Sequence, residues 1–110
     1  MTTDSTARDW WASEVRDLAS LLAVRWLLPT IEALRAGSLR RNALKSVLGQ
    51  ISDKVLTETL HRMVEEGLLD RVTIPSVPVE VDYGLTPKAL SLWPLLCSMQ
   101  QWSDEHMRQI

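Results

Sequence analysis

Cysteine is nearly missing from this chain. Cys97 stands alone among 110 residues, so no internal disulfide framework can form. A lone thiol suits a reducing compartment. No stretch reaches the roughly 18 apolar residues that a membrane span requires. The opening Met1-Thr2-Thr3-Asp4-Ser5-Thr6 has neither the basic nor the apolar part of a signal peptide. These absences predict a soluble, cytoplasmic protein. Histidine is limited to His61 and His106, without the Cys/His/Asp/Glu spacing of a metal site, so neither metal nor cofactor is expected. No nucleophile-elbow or phosphate-loop motif is present. The carboxylate pairs Glu65-Glu66 and Asp104-Glu105 are sequence neighbours, which diverge on a helix. Nothing here marks an enzyme. An excess of basic residues is missing too: 12 Lys and Arg face 14 Asp and Glu, for a net charge of −2. DNA binders draw much of their affinity from phosphate neutralisation and counterion release. Only the docking face must be basic, however, so the acidic total weakens that expectation without excluding it.

What is present fits one globular domain, with 45% hydrophobic and 24% charged residues. Residues 1–8 are small and polar and are expected to be disordered, leaving 9–110 as the domain. Trp11, Val15, Leu18 and Leu22 form one stripe of an amphipathic helix over about 9–22. Trp26, Leu27, Ile31 and Leu34 predict a second helix ending at Gly37, with Pro29 either kinking it or marking a fresh first turn. Trp26 reads as core. Residues 38–41 have room only for an edge strand. Asn42 is expected to cap a short helix carrying Leu44, Val47 and Leu48, broken at Gly49-Gln50.

Ser52 then opens a longer helix over about 52–66, with Leu56, Leu60, Met63 and Val64 on its buried side. The period changes to two over about 68–85. Pro75–Pro78 separates two alternating runs there, which predicts a hairpin. Thr86-Pro87 starts a last helix over about 87–108, interrupted by Pro94 and carrying Leu90, Trp93, Leu96, Met99 and Trp102. Cys97 is expected to be a small buried hydrophobe. The fold class is therefore mainly α with a small β-hairpin, in the order of a winged helix-turn-helix.

Several runs now resemble the HxlR family of MarR-like winged-helix regulators. They are Ile51–Leu60, Glu65-Glu66-Gly67-Leu68, Arg71, Pro75–Pro78 and Val81–Thr86, with Arg25-Trp26, Leu34, Gly37, Arg40 and Asn42-Ala43-Leu44 upstream. The likeness covers about residues 14–106 and is most specific from Ile51 to Thr86. It implies a homodimeric, DNA-binding transcription regulator that dimerises through its terminal helices, about 9–22 and 87–108. It also implies a recognition helix, 52–66, in the major groove and a wing, 68–85, near the backbone or minor groove. Two such helices about 34 Å apart would read a pseudo-palindrome.

Departures from the family matter as much. Glu58-Thr59 stands where the family often has Gln-Arg, and Val79-Glu80 where its wing usually carries Arg. The helix, counting Asp53, Lys54, Glu58, Arg62, Glu65 and Glu66, is net −2. Redox-sensing members carry a cysteine about a dozen residues before their Lys-Trp pair. Trp10-Trp11-Ala12-Ser13-Glu14 has none, which excludes a thiol switch at that site.

The candidate DNA contacts are Ser52, Lys54, Thr57 and His61 in the groove, with Arg40, Arg41, Lys45 and Arg71 on the backbone. Plain solvation is the competing account of each. Trp10, Trp11, Trp93 and Trp102 lie on the terminal helices, as dimer packing or as a pocket for a planar aromatic effector. An alternative keeps the fold but loses DNA, leaving a Trp-rich dimer that binds or acts on an aromatic small molecule. A third reading is a partner-binding module using the exposed helix face.

Overall fold

The structure, a computed structural model, describes Asp9, Trp11 and residues 13–107. The expected disorder of residues 1–8 and the role given to Trp10 lie outside the described residues. Among the described residues the chain runs in the order α1 (Glu14–Leu22), α2 (Leu27–Leu34), β1 (Leu39–Arg40), α3 (Arg41–Leu48), α4 (Asp53–Glu65), β2 (Leu69–Ile74) and β3 (Glu80–Leu85). Helices α5 (Pro87–Leu90) and α6 (Trp93–His106) follow. The strands form one antiparallel sheet in the order β1-β3-β2. In it Leu39 lies opposite Tyr83, and Arg71 lies opposite the same tyrosine from the other side.

The core sits where α2, α3 and α4 close over the sheet. Leu27, Ile31, Leu34, Leu44, Leu56, Leu60 and Met63 are all buried there, with Tyr83 entering from β3. The 3.6-residue spacing of Leu56, Leu60 and Met63 puts all three on the inner face of α4. Burial of such side chains contributes about 1.5–3 kcal/mol each, so this stripe fixes the helix to the domain.

Pro29 and Pro94 both resolve as first-turn residues of helices. Pro29 falls in the first turn of α2, where its missing N–H would have no partner; the first bond runs from Thr30 N to Trp26 O at 3.1 Å. Trp26 is half-buried against the core, and the Arg25 guanidinium lies 5.3 Å from its ring. Pro94 sits in the first turn of α6, and the expected single helix over 87–108 is two helices. Thr86 caps α5, its hydroxyl accepting from Ala89 N at 3.2 Å. Four residues later the chain turns through Ser91-Leu92 and restarts.

Other expectations are corrected. Asn42 does not cap α3: the chain passes from β1 directly into the helix, and Arg40 stands at the cap position without a side-chain capping bond. Asn42 is one residue inside, its carbonyl accepting from the Ser46 hydroxyl at 3.1 Å. Val47 points away from the core. Helix α1 begins at Glu14, after a turn at Trp11 and a bend at Ser13, and its buried residue is Leu21, because only its C-terminal end reaches the core. Cys97 is exposed. Its apolar neighbours Leu95 and Met99 are exposed as well, so the helix that carries them has nothing to bury them in the single chain. Among the described residues no helix is long and apolar enough to cross a membrane.

Candidate nucleic-acid interface

Helix α4 is secured at both ends. At its start the Ser52 hydroxyl accepts from Val55 N at 3.1 Å, satisfying one of the first-turn donors. At its end Gly67 takes φ +76°, a conformation costly for any residue with a Cβ. Leu68 N then reaches Met63 O at 2.8 Å and Gly67 N reaches Val64 O at 3.0 Å, the paired bonds of a Schellman stop. Lys88 Nζ donates to Glu66 O at 2.7 Å, and the Thr86 hydroxyl donates to Gly67 O at 2.6 Å. The helix is thus a rigid rod tied to the sheet and to α5.

Its outer face carries Lys54, Thr57, Glu58, His61 and Glu65, all exposed. His61 Nε2 lies 3.4 Å from the Glu65 carboxylate, one turn on. Among the described residues Lys54 and Arg71 form no ion pair, which leaves both ammonium and guanidinium open to an anion. Ser52 is engaged as a cap acceptor, but its hydroxyl proton stays available to a phosphate.

The fold gathers residues that are far apart in the chain. Arg41, Thr57, His61 and Arg71 rim a single hollow of about 290 Å³, floored by Leu60, Val64, Val81 and Tyr83 between α4 and the hairpin. A second hollow of about 350 Å³ lies between the start of α3 and the base of the wing, lined by Arg40 to Ala43 and Pro78 to Val81. Arg41 borders both. Arg41 thus joins α3, α4 and the base of the hairpin on one face of the domain, where polar side chains rim hollows partly lined by apolar ones.

Sequence reasoning missed how these cations are held. Arg41 Nη2 donates to Thr57 Oγ1 at 2.9 Å and to Asp53 O at 3.2 Å, and lies 3.8 Å from Asp53 Oδ1. Lys45 Nζ lies 2.9 Å from the same carboxylate oxygen. Arg40 pairs with Glu80 across the base of the wing. The hydrogen bond from Lys45, then its charge, holds the Asp53 carboxyl below the usual carboxylate range, with Arg41 adding to the effect. Spacing alone gives no signal for a pair such as Lys45 and Asp53, because the turn between α3 and α4 must first be folded.

Trp93 and Trp102 sit in different surroundings. Trp93 lines a hollow of about 290 Å³ with Leu28, Leu96, Cys97, Met99 and Gln100. The Arg35 guanidinium covers its ring at 4.5 Å. Trp102 stacks on His106 at 4.8 Å, and Trp11 and Trp102 are largely exposed. Among the described residues no cluster of His, Cys, Asp and Glu has the makings of a metal site.

Residues 21–110 match the HxlR-like helix-turn-helix family. The chain is 34% identical over 85 residues to the HTH-type transcriptional regulator YvaP of Bacillus subtilis, covering 77% of this chain and 79% of that protein. It is 34% identical over 86 residues to the HTH-type transcriptional regulator YodB of the same organism, covering 78% and 77%. The solved reduced form of YodB superposes with a TM-score of 0.79 at 31% identity, over 84% of this chain and 91% of that one.

Proposed function

Because the chain belongs to the HxlR-like helix-turn-helix family and is a DNA-binding transcription regulator, we propose that it works as a homodimer on a pseudo-palindromic operator. The observation that carries this reading is the face on which Arg41, Thr57, His61 and Arg71 surround one hollow beside the wing. Lys54, Thr57 and His61 face base edges, with Ser52 at the groove wall. Arg40, Arg41, Lys45 and Arg71 flank them toward the phosphates.

The second copy is supported by α6. That helix runs 14 residues without burying one of them, and Leu95, Met99 and Trp102 are 40%, 40% and 58% exposed. A helix with an unburied apolar face seeks a partner, and aromatic residues favour such interfaces. The elongated shape, 64 × 36 × 24 Å, suits a chain whose last helix reaches beyond its own core. A planar aromatic effector would enter the hollow beside Trp93, whose apolar lining and small volume suit one ring. There it would alter the spacing of the two recognition helices.

The test is a mobility shift with the duplex upstream of the protein's own gene, at low salt. A sequence-selective, salt-sensitive shift is expected. Its absence with freshly purified protein would overturn the DNA reading. Saturable quenching of Trp fluorescence by an aromatic acid would support the effector. A flat titration removes it.

A further inference from the structure

We propose that Asp53 and Glu80 set the affinity for DNA by occupying, in the free protein, the cations that a phosphate backbone would otherwise engage. The proposal rests on the DNA-binding reading above and deepens it. Asp53 Oδ1 lies 2.9 Å from Lys45 Nζ and 3.8 Å from Arg41 Nη2. Glu80 holds Arg40 at the wing. Arg40, Arg41 and Lys45 form the local basic cluster of the chain, and each has a carboxylate against it. Asp53 is also the first residue of α4, where the helix dipole favours an anion. Its carboxylate thus stands on the donors, and at the helix end, that a DNA phosphate would use.

The pairs are solvent-exposed, with side-chain exposures of 75% for Asp53 and 37% for Lys45. Exposed pairs open at little cost, so they do not lock the domain. Their effect falls on docking. A phosphate must take Lys45, Arg41 or Arg40 from its carboxylate, and the displaced carboxylate then repels the phosphate beside it. Net counterion release falls accordingly, since a cation already neutralised by the protein contributes less to it. Lys54 and Arg71 remain to make the first, unopposed contacts.

Fluorescence anisotropy with a labelled mixed-sequence duplex, long enough for two half-sites, tests this with wild type, D53N, E80Q and the double variant. Across about 50–200 mM salt, each single variant is expected to bind several-fold tighter and the double about tenfold or more. The slope of log K against log salt should steepen by roughly 0.9 for each cation released to phosphate. K45Q should cost little in the wild type but should erase the gain in D53N, a coupling that a merely structural role would not produce. Equal or weaker binding by both single variants overturns the proposal. If D53N is unstable in thermal melts, E80Q carries the test alone, because the wing contact is separate. Silence of every variant at low salt overturns the DNA reading itself. Binding by the wild type with no gain in the variants overturns only this inference.

Discussion

At Asp53 one residue joins local structure to electrostatics. It begins α4, and Lys45 and Arg41 of the preceding helix converge on it. Its lowered pKa means the ionised form is favoured in the folded chain. The sign is therefore fixed: pairing contributes above the ordinary carboxylate range and is lost as pH falls through the lowered value. Carbon-detected NMR titration should place the Asp53 midpoint below that of a free aspartate, and Lys45→Met should raise it again. A midpoint unmoved by that substitution would mean the contact does not persist in solution. Deeper in the same helix, Leu56 is wholly buried. Leu56→Ala should cost about 2–5 kcal/mol in urea unfolding, by lost transfer energy and the cavity left behind.

Among the elements, the join between α4, the hairpin and α5 does most to orient α4. Thr86 makes two bonds through one hydroxyl, accepting from Ala89 N and donating to Gly67 O. Thr86→Ala should therefore destabilise by about 1–2 kcal/mol, the upper part of the range for losing a cap. Thr86→Ser should recover most of it, as read from denaturant midpoints. An equal loss in both variants would assign the effect to the methyl group instead. Thr86-Pro87 was legible as a helix start because both residues act locally. Pro94 signalled an interruption of the last helix, but its place at Ser91-Leu92 was not legible, since Leu90, Trp93 and Leu96 keep a helical spacing straight through it.

For the whole molecule, the unburied face of α6 is the surface on which the proposed dimer rests. Met99→Glu, in the middle of that face, should convert a dimer to a monomer in analytical ultracentrifugation while leaving the far-ultraviolet spectrum intact. DNA affinity should fall with it, because one half-site alone gives up the second set of contacts. A wild type that sediments as a monomer would overturn the dimer, and a variant that stays dimeric would move the interface to α1, with exposed Val15 on it and exposed Trp11 just before it. Cys97 illustrates the same limit at smaller scale. Apolar neighbours predicted burial, yet spacing cannot say whether the surface that covers a helix belongs to its own chain.

By itself the sequence determined what local chemistry dictates. Periodicity, the Ser52 and Thr86 caps, the Gly67 stop and the alternating runs about Pro75–Pro78 specify a winged helix without reference to anything distant. Only the tertiary structure decided which charges meet. Asp53 and Lys45, and Arg40 and Glu80, are joined by turns and strand register rather than by any helical spacing. Ion pairs depend on separations of a few ångströms, and those exist only once α3, α4 and the wing have packed around Leu44, Leu56 and Tyr83.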